Sequence, residues 1–314
     1  MDNQEEKTSG SNSKKIAIAV GVILLFCTLI SFVGSNVGAL IFKSKPIGIF
    51  AVNPPHVVLP AEMPFPGVHL SNTMLTSFIT IFILMLLFVS AGRKIKLVPS
   101  GLQNFVEFFY ESLAGFIEDT AGTEYGRKFF PVCATIFLFV LFNGWLSLIP
   151  GFETIKFNGE PLLRNPNTDI NVPMMLAVVS FCFVEYWGFK AQGLKYLKKF
   201  INVDSLIQGF KEMFSGRIKS GLNGIIMGLV SLFTGILEIL SEFIRLVSFT
   251  FRLFGNMTAG MILVTVAIFL VPWVFPAVFY VMEAFFGFIQ ALIFSGLTLC
   301  FLVLAIMSHE EEAH

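Results

Sequence analysis

One arginine sits inside the longest apolar stretch of this chain. Residues 222–271 run for 50 residues with few charges, and Arg252 lies within them. The nearest carboxylates in sequence are Glu242 upstream and Glu283 downstream. A cation held at the centre of a bilayer costs roughly 2.5–3.5 kcal/mol on insertion scales. Arginine does not escape by losing its proton, because its pKa stays above about 12. Two solutions remain. The guanidinium bonds to carbonyls or snorkels to an interface, or it faces a partner, a cavity or an ion path.

The length of the stretch is a second constraint. As one straight helix it would extend about 75 Å, against a hydrocarbon core of about 30 Å. It must tilt steeply, bend, or divide into two pieces. Its polar residues are Glu238, Ser241, Glu242, Arg245, Ser248, Arg252 and Asn256. Successive steps are three, one, three, three, four and four, which places them on one helical face. Glu242 and Arg245 are spaced for an i,i+3 ion pair. Glu238 precedes Arg252 by about 21 Å along the axis. Such a stripe serves either as a hydrogen-bonded seam between helices or as a polar path leading to the arginine.

The rest of the chain fits the same setting. Of 314 residues, 55% are hydrophobic and 13% charged, and mean hydropathy is +0.79. Several apolar runs approach or exceed span length, which predicts an all-α polytopic membrane protein. No alternating ten-residue segments suggest a β-barrel. The net charge is zero and no basic domain is concentrated anywhere, which excludes nucleic acid as a partner. Cys27, Cys133, Cys182 and Cys300 stand singly in apolar runs and read as small core residues. The histidines show no metal-ligand spacing. No Walker loop or dinucleotide fingerprint occurs, so no cofactor is expected.

In chain order, residues 1–15 are polar and expected to be disordered. Residues 16–42 form an N-terminal span or a signal peptide. The run is long for a signal sequence and lacks a clean cleavage site, so a retained span is favoured. Residues 43–69 are proline-rich and read as an irregular external loop. Residues 70–310 form the core. A span over 70–91 exits into Arg93-Lys94-Ile95-Lys96. An amphipathic helix over 100–120 is expected at the inner interface. The span 129–149 carries Asn143, which suits either an interhelical hydrogen bond or the wall of an aqueous path. A polar outer loop, 151–170, leads to a span over 171–189, and Glu185 near its inner end is expected to pair with a basic residue. A lysine-rich inner loop follows. With this threading, 15 of the 21 Lys and Arg residues fall inside, which puts both termini in the cytoplasm.

The last helix runs from near Pro276 to about Met307. Glu283 and Gln290 are seven apart and share a face, about 10 Å apart along the axis. If the helix enters from outside, Gln290 reaches the depth of Arg252 and Glu283 lies nearer the outer surface. A carboxyl able to gain and lose a proton is what a relay needs. A neutral glutamic acid hydrogen-bonded across helices is the alternative.

Arg252-Leu-Phe-Gly-Asn-Met-Thr-Ala-Gly260 resembles the signature of subunit a of the membrane sector of F-type ATP synthases. Gln290-Ala-Leu-Ile-Phe, Glu238, Asn143 ahead of Leu148-Ile149-Pro150, and Asp169-Ile170-Asn171-Val172 extend the resemblance over roughly residues 70–310. It implies a near-horizontal helical hairpin, here 222–307, and favours the single tilted helix over two spans. It implies a proton-conducting stator with two offset half-channels that load and unload carboxylates on a rotating ring of c subunits. The proton-translocating residues would be Arg252, Glu283, Gln290, Asn256, Glu238, Ser241, Glu242 and Asn143. It also implies the peripheral-stalk b subunits and the remaining synthase subunits as partners, membrane lipid around them, and the cell's inner (plasma) membrane as the location. The chain itself would catalyse no bond change. The family often carries an ionisable residue nine positions after the arginine, where this chain has Met261. A self-contained secondary transporter or channel is the competing reading, but no internal repeat supports it. A non-transporting scaffold is a third.

Overall fold

The computed structural model describes residues 2–43, 45–48, 50–52, 54, 60–65, 67, 70–93, 96, 101–149, 151–200, 207–208, 211 and 218–307. The described α-helices are α1 (Asp2–Gly34), α2 (Asn36–Ile41), α3 (Asn72–Gly92), α4 (Leu102–Ser147), α5 (Asn171–Gln192), α6 (Ile218–Leu270) and α7 (Phe275–Met307). Six described helical segments are long and apolar enough to cross a membrane. The chain divides into two compact units. One joins residues 1–61 with 256–287, and the other joins 62–255 with 288–314.

Helix α3 shows why these segments suit lipid and not water. Its buried residues are Asn72, Thr73, Thr76, Thr80 and, near its end, Ala91, and its exposed ones include Phe78, Ile81, Phe82 and Met85. The polar stripe faces protein, where hydroxyls find partners, and the apolar stripe faces outward. A helix in water has the opposite arrangement. The helix starts where Ser71 caps it, its side chain accepting from the Met74 amide at 3.2 Å.

The expected amphipathic helix over 100–120 corresponds to the first part of α4. Helical geometry breaks at Gly122, with φ 75° and ψ 162°. Glycine is the residue that reaches this conformation without steric cost. The two halves fold back on each other there. The Tyr110 and Phe130 rings lie 4.8 Å apart, whereas 20 residues of straight helix would separate them by about 30 Å. Gly126 permits the approach, because a Cβ there would come within 3.0 Å of the Glu118 backbone.

In the larger unit the core gathers Ile117, Phe129, Cys133, Val184, Trp187, Leu299 and Leu302. Small polar side chains tie its helices together. Ser180 and Thr298 hydroxyls lie 2.7 Å apart, and Ser295 donates to the Cys133 carbonyl at 2.9 Å. Interhelical bonds of this kind stabilise a bundle in lipid, where apolar burial drives association weakly. The loop after α4 contains a two-residue hairpin, β1 (Lys156–Phe157) with β2 (Glu160–Pro161), paired antiparallel. Asn158 and Gly159 both have positive φ at its tip, as a type I′ turn requires.

The smaller unit is organised around the turn between α6 and α7. Asn36 donates to the carbonyls of Val52 at 2.9 Å and Phe269 at 3.1 Å. The Trp273 amide donates to the Ser31 hydroxyl at 3.1 Å. Phe50 packs on the Trp273 ring, with centroids 5.5 Å apart. Val274 in this turn has φ 61°, a costly conformation for a β-branched residue.

Two sequence expectations differ from the structure in detail. The polar residues 2–15 are drawn into α1, in keeping with the good helix propensity of their Glu, Gln and Lys side chains. Of the four cysteines only Cys133 is buried, whereas Cys182 and Cys300 are exposed and Cys27 is intermediate. Their apolar neighbours in sequence do not decide which face of the helix they occupy. The 222–271 stretch, read from sequence as a single helix in preference to two spans, lies in α6, one helix of 53 residues. The acidic tail 308–314 and most of the lysine-rich loop lie outside the described residues.

Candidate functional site

Arg252 belongs to the larger unit and is half-buried. Two fully or nearly buried neighbours on α6, Phe249 and Leu253, fix the face on which it emerges. Phe249 packs on α7 through Phe294 at 5.0 Å and Phe301 at 5.9 Å between ring centroids. The Arg252 guanidinium lies 6.0 Å from the Phe249 ring. Gln290, 3% exposed, sits one helical turn before Phe294 on α7. The Phe249–Phe294 contact therefore sets the arginine and Gln290 at a similar level of the α6–α7 pair. Among the described residues, no carboxylate forms an ion pair with Arg252.

The rest of the α6 stripe divides into covered and open positions. Glu242 is 4% exposed and pairs with Arg245 at 2.7 Å, as the i,i+3 spacing anticipates. Arg245 also stacks over the Phe301 ring at 3.7 Å, a favourable place for a desolvated guanidinium. Glu238 is half-buried, whereas Ser241, Ser248 and Asn256 are exposed. A stripe that served only as a seam between helices would be covered along its whole length. Here one edge is packed and the other is open.

Asn143 on α4 is fully buried, and neither its Oδ1 nor its Nδ2 has a hydrogen-bond partner. One turn earlier, the Val140 carbonyl accepts from Asn167 at 3.1 Å, and the Asn167 Oδ1 is likewise unpartnered. Burying such groups dry costs about 1–3 kcal/mol each. The interhelical hydrogen bond expected as one role for Asn143 is absent among the described residues. Unpartnered buried amides are the kind of group that ordered water satisfies in proteins.

Glu283 belongs to the smaller unit and is 6% exposed. Its carboxylate occupies the space where a side chain at residue 260 would start, because a Cβ on Gly260 would overlap it. The sequence pattern directed attention to Met261 as the missing partner. The structure shows that its neighbour Gly260 makes room for the carboxylate. Asn256, also in this unit, lies on the open edge of the stripe.

Two groups of polar contacts were not foreseen from sequence, although Asp169 and Glu185 within them were singled out there. Beside Asn143, the loop 151–170 packs on α3, where Thr73 donates to Asp169 at 2.8 Å and the Arg164 amide donates to the Thr76 hydroxyl at 3.2 Å. Arg164 Nε reaches Thr168 at 3.1 Å, and Asn165 reaches Ser147 at 3.1 Å. Burial pushes the Glu153 carboxyl in this loop above its ordinary value, against the pull of the Arg164 charge. The polar run Arg164–Asn171 was the available signal. Beyond α5, Tyr196 is 1% exposed and its hydroxyl donates to Glu185 at 3.2 Å. Lys190, the basic residue nearest Glu185 in sequence, lies 4.4 Å over the Trp187 ring.

Long apolar helices with buried hydroxyls, and a cation, carboxylates and amides within them, define a multi-pass membrane protein. Comparison with known sequences gives the particular family. The model of the ATP synthase A chain family matches residues 74–303. ATP synthase subunit a of Helicobacter pylori strain Shi470 is 30% identical over 243 residues, covering 76% of this chain and 93% of that protein. Its counterpart in Helicobacter hepaticus strain ATCC 51449 / 3B1 is 32% identical over 231 residues, covering 73% and 87%. The chain belongs to the ATP synthase A chain family, that of subunit a of the F-type enzyme. Residues 1–73, with α1, α2 and the proline-rich segment, precede the matched region.

Proposed function

We propose that this chain is the proton-conducting stator of an F-type ATP synthase in the cell's plasma membrane. It forms two separate half-channels against a ring of c subunits, held in place by peripheral-stalk b subunits. Asn143 and Glu283 belong to the outer half-channel. Glu238, Ser241 and Glu242 belong to the inner one. Arg252, with Asn256 and Gln290, stands between them. A continuous wet path would leak protons, whereas two offset paths need a carrier that moves between them.

The observation that carries this reading is the state of Arg252. It is a permanent cation inside an apolar helix, and no carboxylate among the described residues neutralises it. The open edge of its stripe leaves a place for one supplied by another subunit. A ring carboxylate facing Arg252 is held ionised by the opposite charge. A proton entering from the outer path neutralises the next carboxylate, which then turns into lipid. Another, arriving from lipid, releases its proton to the inner path. The membrane potential contributes about 2.3 kcal/mol per charge for each 100 mV. The chain supplies electrostatics and access, and bond chemistry belongs to other subunits.

Replacing Arg252 with Ala in the assembled complex tests this. ATP-driven acidification of inverted membrane vesicles is expected to vanish while the complex still assembles. Undiminished pumping would reject the role.

A further inference from the structure

The smaller unit holds a set of contacts that the proposed function leaves unused. Helix α6 ends at Leu270 and α7 begins at Phe275. The last carbonyls of a helix have no partner within it. Here the Phe269 carbonyl accepts from Asn36 at 3.1 Å, and in the turn the Trp273 amide donates to the buried Ser31 hydroxyl at 3.1 Å. The same Asn36 nitrogen also donates to the Val52 carbonyl at 2.9 Å. The Ile47 amide donates to the Gly34 carbonyl at 3.0 Å, and Phe50 packs on the Trp273 ring. Gly34 makes room for Phe50, since a Cβ there would come within 2.7 Å of that ring.

Val274 stands among these contacts with φ 61°. A β-branched residue keeps such a conformation only where its surroundings over-determine it. Ser31, Asn36 and Phe50 are those surroundings, and they come from a segment that precedes the part of the chain shared with the family. The turn also has a consequence deeper in the hairpin. Gly260 lies about 15 Å before the end of α6, and Glu283 about 12 Å after the start of α7. Their similar depth lets the Glu283 carboxylate fill the space where a Gly260 Cβ would stand. A slip of α7 by one residue would move it about 1.5 Å and turn it about 100°, which takes the carboxylate out of that space.

We propose that Ser31 and Asn36 are positioning residues for proton loading. The N-terminal segment clamps the α6–α7 turn, and the clamp sets the register that seats Glu283 against Gly260. This rests on the function proposed above, in which Glu283 belongs to the outer half-channel. Neither residue handles the proton. Asn36 acts through the Phe269 carbonyl and Ser31 through the Trp273 amide.

The test uses the full complex in inverted vesicles, with passive proton conduction measured after the catalytic sector is stripped off. Flux is normalised to the amount of this chain. Misplacing a reacting group by about 1 Å can cost about 100-fold in enzymes, and a path with some bypass through water is expected to lose more than about threefold. S31A/N36A should show that loss. Adding V274G should recover most of it, because glycine holds a positive φ without the clamp. The infrared band of the Glu283 carboxyl, identified by its disappearance in E283Q, should shift in S31A/N36A and return when V274G is added. A smaller loss of flux, a loss that V274G does not recover, or an unmoved band overturns the clamp. If S31A/N36A fails to assemble, N36A alone decides by the same criteria. R252A in parallel vesicles separates the two ideas. Normal pumping in R252A removes the proposed function itself, whereas blocked R252A with unimpaired S31A/N36A removes only the clamp.

Discussion

Gly260 and Glu283 share one space: the carboxylate of one residue fills the position where the other would carry a β-carbon. In a helix of 53 residues, a glycine otherwise weakens the structure by about 1 kcal/mol relative to alanine. Its value here is local, because only the absence of a side chain leaves room for the Glu283 carboxyl. Gly260→Ala is therefore expected to impair proton flux by displacing Glu283, with an overpacking cost of about 1–3 kcal/mol. Shortening the acid in the double variant G260A/E283D should recover part of the flux. Passive conduction in stripped vesicles reports both effects.

Asn143 gives a prediction in which stability and function move in opposite directions. Its two side-chain polar atoms are buried without partners. N143L removes them at similar volume, so the melting temperature of the complex should hold or rise. Proton flux should fall, because the proposed path loses the amide groups that would hold water. A variant with lower stability and normal flux would show that Asn143 serves packing.

The outer loop carries the pH-dependent prediction. Glu153 has its carboxyl raised above its ordinary value of 4.5 by burial, with Arg164 opposing the shift. The neutral acid is the form the fold prefers. Its contribution is fully present below the unfolded value and is lost as pH rises through the folded one. E153Q should therefore stabilise the protein at around pH 7 and have little effect below the unfolded value. Thermal melts at the two pH values check the sign.

The N-terminal segment is expected to remain in the mature protein. Ser31 and Asn36 satisfy backbone groups of Trp273 and Phe269 at the α6–α7 turn, and cleavage would remove both. Mass spectrometry of the mature chain should find residues 31–36 present. N36A should lower stability by about 1–2 kcal/mol, since two hydrogen bonds are lost in an environment where each is worth little more than 0.5–1 kcal/mol.

Much of this was legible in the sequence, for physical reasons that differ between elements. The stripe on α6 is visible because steps of three and four are a property of one helix, and the Glu242–Arg245 pair follows from the same geometry. Helix α3 is legible as a span by hydropathy, but its buried threonines carry no message until α4 and the 151–170 loop cover them. Tyr196 and Glu185 are 11 residues apart, beyond any single-helix rule, and meet because the chain reverses at Gly193 with φ 60°. Gly260 is legible in sequence as a small residue that lets a neighbouring helix come close, but not as the one whose missing side chain leaves room for the Glu283 carboxyl.

The central claim is that Arg252 divides two separate aqueous spaces, and reagent access from the two sides tests it most directly. In a chain with its four native cysteines replaced, N143C and S241C would be exposed in turn to a membrane-impermeant thiol reagent, in right-side-out and in inverted vesicles. The account predicts that N143C reacts only from the outer side and S241C only from the inner side. Reaction of either position from both sides would mean one continuous pore, and the account would be contradicted.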